Sequence, residues 1–294
     1  MSRTYKAIGI NLKSMPLGEA DRLLTILTRE HGLVKAIAIS ARKHNSKMGG
    51  RSGMFVVNDL LIAKGKSLDK ITQAETVVSY PGLGKDLKRL TASQYLAELC
   101  LYQALSDQPQ EELFCLLNEQ LQRLERSPSS LILLTLISGI YQLLTVAGVA
   151  PEVHRCCVTQ HPLIPNESVG FSIPAGGTVT LESLEQLQQP HSSQATRITK
   201  PLQSSFRRNA QLHSLIGSKE LMILQAIAQT DPLQADASSS QPTANIVQLA
   251  DSMTACISVE RILRQYAQYH FDLTIRSATL MDACFSSSPL PQLS

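Results

Sequence analysis

The pattern of hydrophobic and polar residues predicts β-strands along the first eighty residues, beginning with a two-residue alternation near the N-terminus. In residues 6–13, Ile8, Ile10 and Leu12 alternate with small or polar residues. Four later segments are also predicted as strands, of which 22–28 and 33–39 are rich in β-branched residues: 22–28, 33–39, 55–63 and 71–78. Five short strands in so short a stretch predict a small closed β-barrel, and the OB-fold is the usual five-stranded solution.

Turn residues fall between these segments. Glu30-His31-Gly32 predicts a tight hairpin between the second and third strands, and Lys64-Gly65-Lys66 predicts another after the fourth. Residues 40–53 (SARKHNSKMGGRSG) are too polar and too rich in glycine to be packed. We therefore expect them to form a mobile loop at one mouth of the barrel.

After Pro81 the hydrophobic period lengthens to that of α-helices. Helices are predicted at residues 85–105, 111–125, 131–146, 219–229 and 259–273. Residues 151–190 interrupt this pattern with Pro, Gly and short strand-like stretches. Residues 235–245 have the composition of a flexible linker, and the final SSSPLPQLS that of a frayed terminus. The prediction is an α+β protein with four parts: an OB-fold barrel (1–80), the first part of a helical domain (81–150), an inserted lobe (151–190) and the second part of the helical domain (191–294).

One apolar run has two interpretations. No charged residue occurs between Ser127 and Pro151, and residues 131–150 are long enough to span a bilayer. However, Ser138 and Gln142 lie in the middle of the run, where lipid would leave their polar groups unpaired. The sequence therefore favours a helix that is buried on all sides at the centre of a helical bundle, and no membrane association.

Charge is distributed unevenly along the chain. Residues 1–70 hold 13 of the 27 Lys and Arg residues but only 5 of the 24 Asp and Glu residues, a balance of +8, and the remaining chain has a balance of −5. A basic first quarter on an otherwise acidic protein indicates a polyanionic partner for that quarter. The alternative is that these cations only solvate the outer faces of strands.

The basic side chains that fit a nucleic acid lie mainly in the predicted barrel. Phosphate contacts require Lys and Arg side chains that follow a nucleic-acid backbone. The predicted loop and the strands and hairpin expected to flank it supply seven of them, and the start of the first helix supplies three more. The candidate nucleic-acid-binding residues are Lys35, Arg42, Lys43, Lys47, Arg51, Lys64, Lys66, Lys85, Lys88 and Arg89.

Evidence for catalysis, cofactors or secretion is lacking in the sequence. No phosphate-binding loop, dinucleotide fingerprint, HExxH motif or nucleophile elbow occurs, and the carboxylates of Glu19 and Asp21 lie in a turn. The six cysteines show no disulfide-like spacing, and the charged N-terminal residues do not resemble a signal peptide. We therefore expect a cytoplasmic protein with free thiols that is not an enzyme and needs no cofactor.

Three stretches resemble the RecO family of bacterial recombination mediators. Residues 17–43 (LGEADRLLTILTREHGLVKAIAISARK) have the family's GE-x-DR turn, its T-x-x-x-G hairpin and the following basic stretch. Residues 153–177 contain VHRCC and VGFSIPAGG, in which a phenylalanine-serine pair precedes paired glycines. Residues 259–277 (VERILRQYAQYHFDLTIRS) carry an R-x-Y followed by a serine. The three stretches span nearly the whole chain in the family's order.

The resemblance implies a function and a set of partners. It implies an OB-fold followed by a helical domain with an inserted zinc-finger-like lobe, and a protein that binds single- and double-stranded DNA and anneals complementary strands. The implied partners are RecR, the single-stranded-DNA-binding protein and, indirectly, RecA. Two alternatives remain open: an OB-fold protein that binds RNA or a ribosomal surface, and a non-catalytic interaction scaffold.

The metal pattern of the family is degenerate in this chain. Aligning the family's two C-x-x-C pairs with the sequence places Cys157, Gln160, Thr180 and Ser183 at the four ligand positions. Structural zinc requires four nitrogen or sulfur donors, so Gln, Thr and Ser are poor ligands. We expect a lobe that holds no metal and is stabilised by apolar packing.

Overall fold

The computed structural model describes residues 4–164, 169–188, 213–229 and 252–285. The chain divides into two compact units. The first comprises residues 1–147 together with 271–294, and the second comprises residues 148–270. The predicted flexible segment 235–245 and the predicted frayed terminus 286–294 lie outside the described residues.

The first unit begins with a closed five-stranded barrel. Its strands are β1 (Thr4–Leu17), β2 (Asp21–Thr28), β3 (Gly32–Ala38), β4 (Val57–Ala63) and β5 (Asp69–Val78). They are arranged in the order β1-β2-β3-β5-β4, with β4 pairing back onto β1. β3 and β5 pair in parallel, and the other neighbours are antiparallel. The predicted OB-fold barrel is confirmed, although β1 is longer than the alternating residues 6–13 indicated.

Alternation along the strands places one set of side chains inside the barrel. Leu24, Ile26, Ala36, Leu60 and Ile62 belong to this core, and each is almost completely buried. The two predicted hairpin turns are present. Gly32 has a φ of 66°, and a Cβ there would lie 2.0 Å from the carbonyl oxygen of Leu105, so the turn requires glycine.

The segment between β3 and β4 differs from the prediction of an unpacked loop. Residues Lys47–Arg51 form a short helix, α1, capped by the side chain of Ser46. Ala41 and Ser52 are buried, and Met48 packs against the barrel core. The polar composition was misleading because only these three positions need to face inward to anchor the segment.

Up to residue 285, five helical segments follow the barrel within the first unit. A 3₁₀ turn (Pro81–Lys85) precedes α2 (Leu87–Gln103), α3 (Glu111–Arg126) and α4 (Ile132–Val146), and α8 (Ser277–Phe285) closes the unit. The predicted helices at 111–125 and 131–146 are confirmed, and the one predicted at 85–105 is divided into the 3₁₀ turn and α2. Helix α8 had not been predicted.

Helix α4 lies at the centre of this bundle. It packs against both α2 and α3, and eleven of its residues are buried, including Gln142. The side-chain amide of Gln120 donates to that of Gln142 at 2.6 Å, which pairs two polar groups inside the core. Among the described residues, no helix is long and apolar enough to cross a membrane. The predicted buried helix is therefore confirmed.

The second unit combines a small sheet with helices. Strands β6 (Val169–Ser172), β7 (Gly177–Val179) and β8 (His213–Ile216) form a sheet in the order β7-β6-β8. In the described part of this unit the helices are α5 (Leu181–Gln188), α6 (Ser218–Ala228) and α7 (Met253–Phe271). The helices predicted at 219–229 and 259–273 correspond to α6 and α7. Helix α7 begins six residues before the predicted start.

Candidate nucleic-acid interface

Three of the candidate lysines meet at a cleft in the first unit. Lys35 of β3 and Lys64 and Lys66 of the β4–β5 hairpin line a cleft of about 680 Å³, together with Tyr5 and His31. All three lysines are exposed. Pairing of Ala36 with Asp69 brings β3 beside the start of β5, which explains how residues distant in sequence share this cleft.

The aromatic residues of this cleft are already engaged. The Tyr5 hydroxyl donates to Asp69 Oδ2 at 2.5 Å, and the ring of His31 lies edge-on to that of Tyr5 with centroids 4.7 Å apart. Burial and the hydrogen bond to Asp69 raise the pKa of Tyr5. Phe55 and Tyr80, two further aromatic residues within the first eighty, are buried. Phe55 and Tyr80 are therefore closed to base stacking, and Tyr5, which is partly buried, is held by Asp69 and His31.

Four other candidates lie at the opposite end of the barrel. Arg42, Lys43, Lys47 and Arg51 occupy the segment around α1, and the Arg42 guanidinium donates to the Gly18 carbonyl at 2.7 Å. Gly18 follows the end of β1, whereas the β4–β5 hairpin lies beside its start, where Thr4 pairs with Ala63. Lys64 and Lys66 therefore do not flank this basic segment, contrary to the expectation from the sequence, and Lys35 lies midway along β3, between the two ends.

The helical candidates are more constrained. Lys85 is exposed at the end of the 3₁₀ turn, whereas the Lys88 ammonium lies 4.7 Å from the centroid of the Phe285 ring. Arg89 pairs with Asp86 at 3.9 Å and donates to the Ser127 carbonyl at 2.8 Å. These contacts give Lys88 and Arg89 roles in packing the helices, and nucleic-acid binding by the three residues stays a prediction.

Three exposed lysines of the barrel, Lys6, Lys13 and Lys70, were not among the candidates, and strand pairing connects the last two to Lys35 and to β3. Lys13 of β1 pairs with Thr25, which pairs in turn with Lys35, so Lys13 and Lys35 belong to one cross-strand row. Lys70 of β5 pairs with Ile37 of β3. Counting alternate positions along each strand would have placed both side chains outward, but the register between strands was needed to connect them.

The lobe in the second unit is organised around one thiol. Cys156 is fully buried, and its sulfur accepts hydrogen bonds from the amides of Thr159 at 3.5 Å and Thr180 at 3.4 Å. The same sulfur lies 3.9 Å from Thr180 Oγ1 and 3.8 Å from Ser183 Oγ. Burial raises the pKa of this thiol, but hydrogen bonds from Thr159, Thr180 and Val158 outweigh that effect and lower it to about 6.

These contacts correct the expected register by one residue. Cys156, not Cys157, is the thiol grouped with Thr180 and Ser183, and Thr159 takes the position expected for Gln160. Cys157 is half-buried, and burial followed by the charge of Glu152 raises its pKa to about 11. Of the two adjacent cysteines, only Cys156 is fully buried and grouped with Thr180 and Ser183.

The donor set of this cluster does not fit structural zinc. It offers one thiol and three hydroxyls, whereas such zinc sites use four nitrogen or sulfur ligands. His154 and His161, the nearby histidines, are exposed. Within the described ranges no group of three or more His, Cys, Asp or Glu side chains is placed to hold a metal ion.

Comparisons with known proteins agree with this architecture. The family model described as Recombination protein O N terminal matches residues 1–80, and that described as Recombination protein O C terminal matches residues 84–211. The chain is 48% identical to the DNA repair protein RecO of Nostoc sp., over 98% of both chains. It is 50% identical to the DNA repair protein RecO of Acaryochloris marina, over 100% of this chain and 98% of that relative. The chain belongs to the RecO family.

The RecO-like motifs of the second unit meet in space. The Tyr266 ring of the R-x-Y motif lies edge-on to the Phe171 ring with centroids 5.8 Å apart, and its hydroxyl donates to the Gly176 carbonyl at 3.4 Å. A Cβ at Gly177 would lie 2.1 Å from the Glu152 carbonyl oxygen, so the second glycine permits close backbone approach. These RecO motifs therefore hold the lobe together in this chain.

Proposed function

We propose that this protein is a DNA-binding recombination mediator that acts in DNA repair without making or breaking covalent bonds. In this proposal the barrel binds single- and double-stranded DNA through phosphates and promotes annealing of complementary strands. Membership of the RecO family supports the role in DNA repair, because the similar proteins are DNA repair proteins by name. The DNA-binding part rests on the barrel itself.

The observation that carries DNA binding is the set of uncompensated cations on the barrel. Six of the seven barrel candidates are exposed: Lys35, Arg42, Lys43, Lys47, Lys64 and Lys66. Among the described residues none of these six forms an ion pair with a carboxylate, whereas Arg29 and Arg89 do. Exposed cations without acidic partners keep their full attraction for a polyanion.

The partner proteins follow from the resemblance. We propose that the protein acts with RecR to help RecA replace the single-stranded-DNA-binding protein on DNA. Cations at both ends of the barrel support the annealing step, since two separated basic groups suit contact with two strands or with two parts of one strand. A proposed role of Lys85, Lys88 and Arg89 is to extend this track onto the helices.

The decisive experiment measures DNA affinity against salt concentration for single- and double-stranded oligonucleotides. The variant R42A/K43A/K47A/R51A should bind more weakly, and the slope of log K against log salt should become shallower by about 0.7 per lost phosphate contact for single strands. A matched control, R126A/R155A/K219A/R261A, removes four exposed cations elsewhere. The control should retain the wild-type slope.

Two further measurements separate the alternatives. Fluorescent complementary oligonucleotides should anneal faster in the presence of the protein, and an unchanged annealing rate would refute the mediator role. Tighter binding to RNA than to DNA of the same sequence would favour the RNA-binding alternative. If the barrel variant binds DNA as tightly as wild type, the basic residues are incidental and the scaffold alternative is favoured.

A further inference from the structure

The outer face of β1, β2 and β3 carries an aliphatic row. Met15 pairs with Leu23, and Leu23 pairs with Ile37, so the three side chains stand side by side on one face. Met15 is 40% exposed, and Leu23 and Ile37 are half-buried. Ile39, one residue beyond the end of β3, is 49% exposed. Helices α2 and α3 contact β1 and β2, whereas the row keeps part of its surface exposed to solvent, most of all at Met15.

Lysines border the aliphatic row on two sides. The next cross-strand row is Lys13, Thr25 and Lys35, and Lys70 pairs with Ile37 at the far end. All three lysines are exposed. The nearest carboxylate in sequence on these strands, Asp21, accepts a hydrogen bond from the Ser40 amide at 2.7 Å. The surface is therefore an apolar strip with cationic edges.

Such a surface is complementary to a single nucleic-acid strand. A single strand has flat apolar base faces that can lie on the strip and a chain of phosphates that can reach the lysines. A duplex cannot use the strip, because its base faces are stacked in its interior and only the base edges reach the grooves. Aromatic platforms are the usual surfaces for bases, and those of this barrel are buried or engaged with other groups.

We propose that Met15, Leu23 and Ile37 form the base-contacting surface for single-stranded DNA, with Lys13, Lys35 and Lys70 as its phosphate contacts. This inference rests on the proposed DNA binding and specifies where base faces are held. Binding on an aliphatic strip is tolerant of sequence, since every base has an apolar face and the strip offers no hydrogen-bond donor or acceptor.

The experiment compares a single-stranded oligonucleotide of thymidines with an abasic oligonucleotide of the same length. Both carry the same phosphates, and only the first has bases. Wild-type protein should bind the thymidine strand about tenfold more tightly, in keeping with loss of base contacts on an apolar surface. The variant M15A/L23T/I37T should bind both strands with equal affinity and should keep the wild-type salt slope and the wild-type affinity for duplex DNA. Threonine is used at two positions because it retains strand propensity.

Control variants distinguish failure of the proposed DNA binding from failure of the base-contacting role of the row. Val77 is an exposed aliphatic residue of β5 outside the row, and V77A should behave as wild type. M15A alone, at the most exposed position of the row, should show part of the effect if the triple variant folds poorly. If wild-type protein binds neither strand, the proposed function fails. If it prefers the thymidine strand and the row variants retain that preference, only this inference fails. If the row variants change the oligomeric state of the protein but leave its DNA affinity unchanged, the row is a protein interface and this inference is refuted.

Discussion

Glu98 of α2 holds the start of α8, although the two are far apart in sequence. Its carboxylate accepts hydrogen bonds from the amide of Arg276 at 2.9 Å, the amide of Ser277 at 3.0 Å and the hydroxyl of Ser277 at 2.7 Å. The first amides of a helix have no partner within the helix, and a carboxylate near them also interacts favourably with the helix dipole. Glu98 therefore acts as a capping residue supplied by another helix.

The substitution Glu98→Ala should destabilise α8 by about 2 kcal/mol. A hydrogen bond to a charged group contributes about 1.5–3 kcal/mol, and loss of an N-terminal cap costs about 0.5–2 kcal/mol. Water can replace part of the loss, because the amide of Arg276 is exposed. Glu98→Gln retains an oxygen acceptor but loses the charge, so we expect it to cost about half as much.

Hydrogen exchange of peptides from residues 271–285 is the appropriate assay, because a terminal helix can open without unfolding the whole unit. If α8 is destabilised by about 2 kcal/mol, its backbone amides should exchange hydrogen about thirtyfold faster in E98A than in the wild type. Glu112→Ala, at an exposed glutamate in the first turn of α3, serves as the matched control and should leave α8 unchanged. If α8 exchanges at the wild-type rate in E98A, or equally fast in E98Q and E98A, Glu98 does not cap the helix through its charge.

The remaining predictions concern the thiol cluster of the second unit. Because the folded pKa of Cys156 is about 6, below its ordinary value of 9.0, the thiolate stabilises the fold above pH 9, and this contribution is lost as the pH falls towards 6. Urea unfolding at several pH values should therefore show the difference between wild type and C156S rising with pH over that window, and a constant difference would contradict the low pKa. The variant T159C/T180C/S183C should bind one zinc ion by elemental analysis, whereas wild type and C156S/T159C/T180C/S183C should bind less.

The barrel was predictable because its determinants are local. The aliphatic and β-branched residues of β2 and β3, together with the glycine at position 32, specify two paired strands without reference to the rest of the chain. The buried helix α4 was equally recognisable, since its apolar residues surround the whole helix. By contrast, the packed segment around α1 depends on Ala41, Met48 and Ser52 meeting the barrel, and composition alone does not reveal such contacts.

Helix α8 could not be predicted for a different reason. Its sequence, SATLMDACF, has weak amphipathic character, and its start is capped by a glutamate 179 positions away from Ser277. A sequence search for capping residues examines neighbouring positions only. Tertiary contacts with α2, including the Lys88 ammonium near the Phe285 ring, supply the stabilisation that local propensity lacks.

For the candidate site, composition predicted the charge of the barrel, but the grouping of its side chains depends on the register between strands. The excess of Lys and Arg in the first quarter correctly indicated a basic barrel, but the sequence did not reveal that its cations form separate groups at the two ends of β1. Pairing of Met15, Leu23 and Ile37 appears only when three strands are aligned in register. A shift of one residue between two strands would turn one of these side chains into the barrel and abolish the row.

The thiol cluster explains how the lobe can keep its form with a donor set that does not suit zinc. A structural metal closes a loop by joining side chains from two turns. Here the sulfur of Cys156 joins the turn that contains Thr159 to the one that contains Thr180 and Ser183, through hydrogen bonds alone. The close approach at Gly177 and the ring contact between Phe171 and Tyr266 fix the same region independently. Several weak contacts therefore hold this region of the lobe together, although its donor set does not suit zinc.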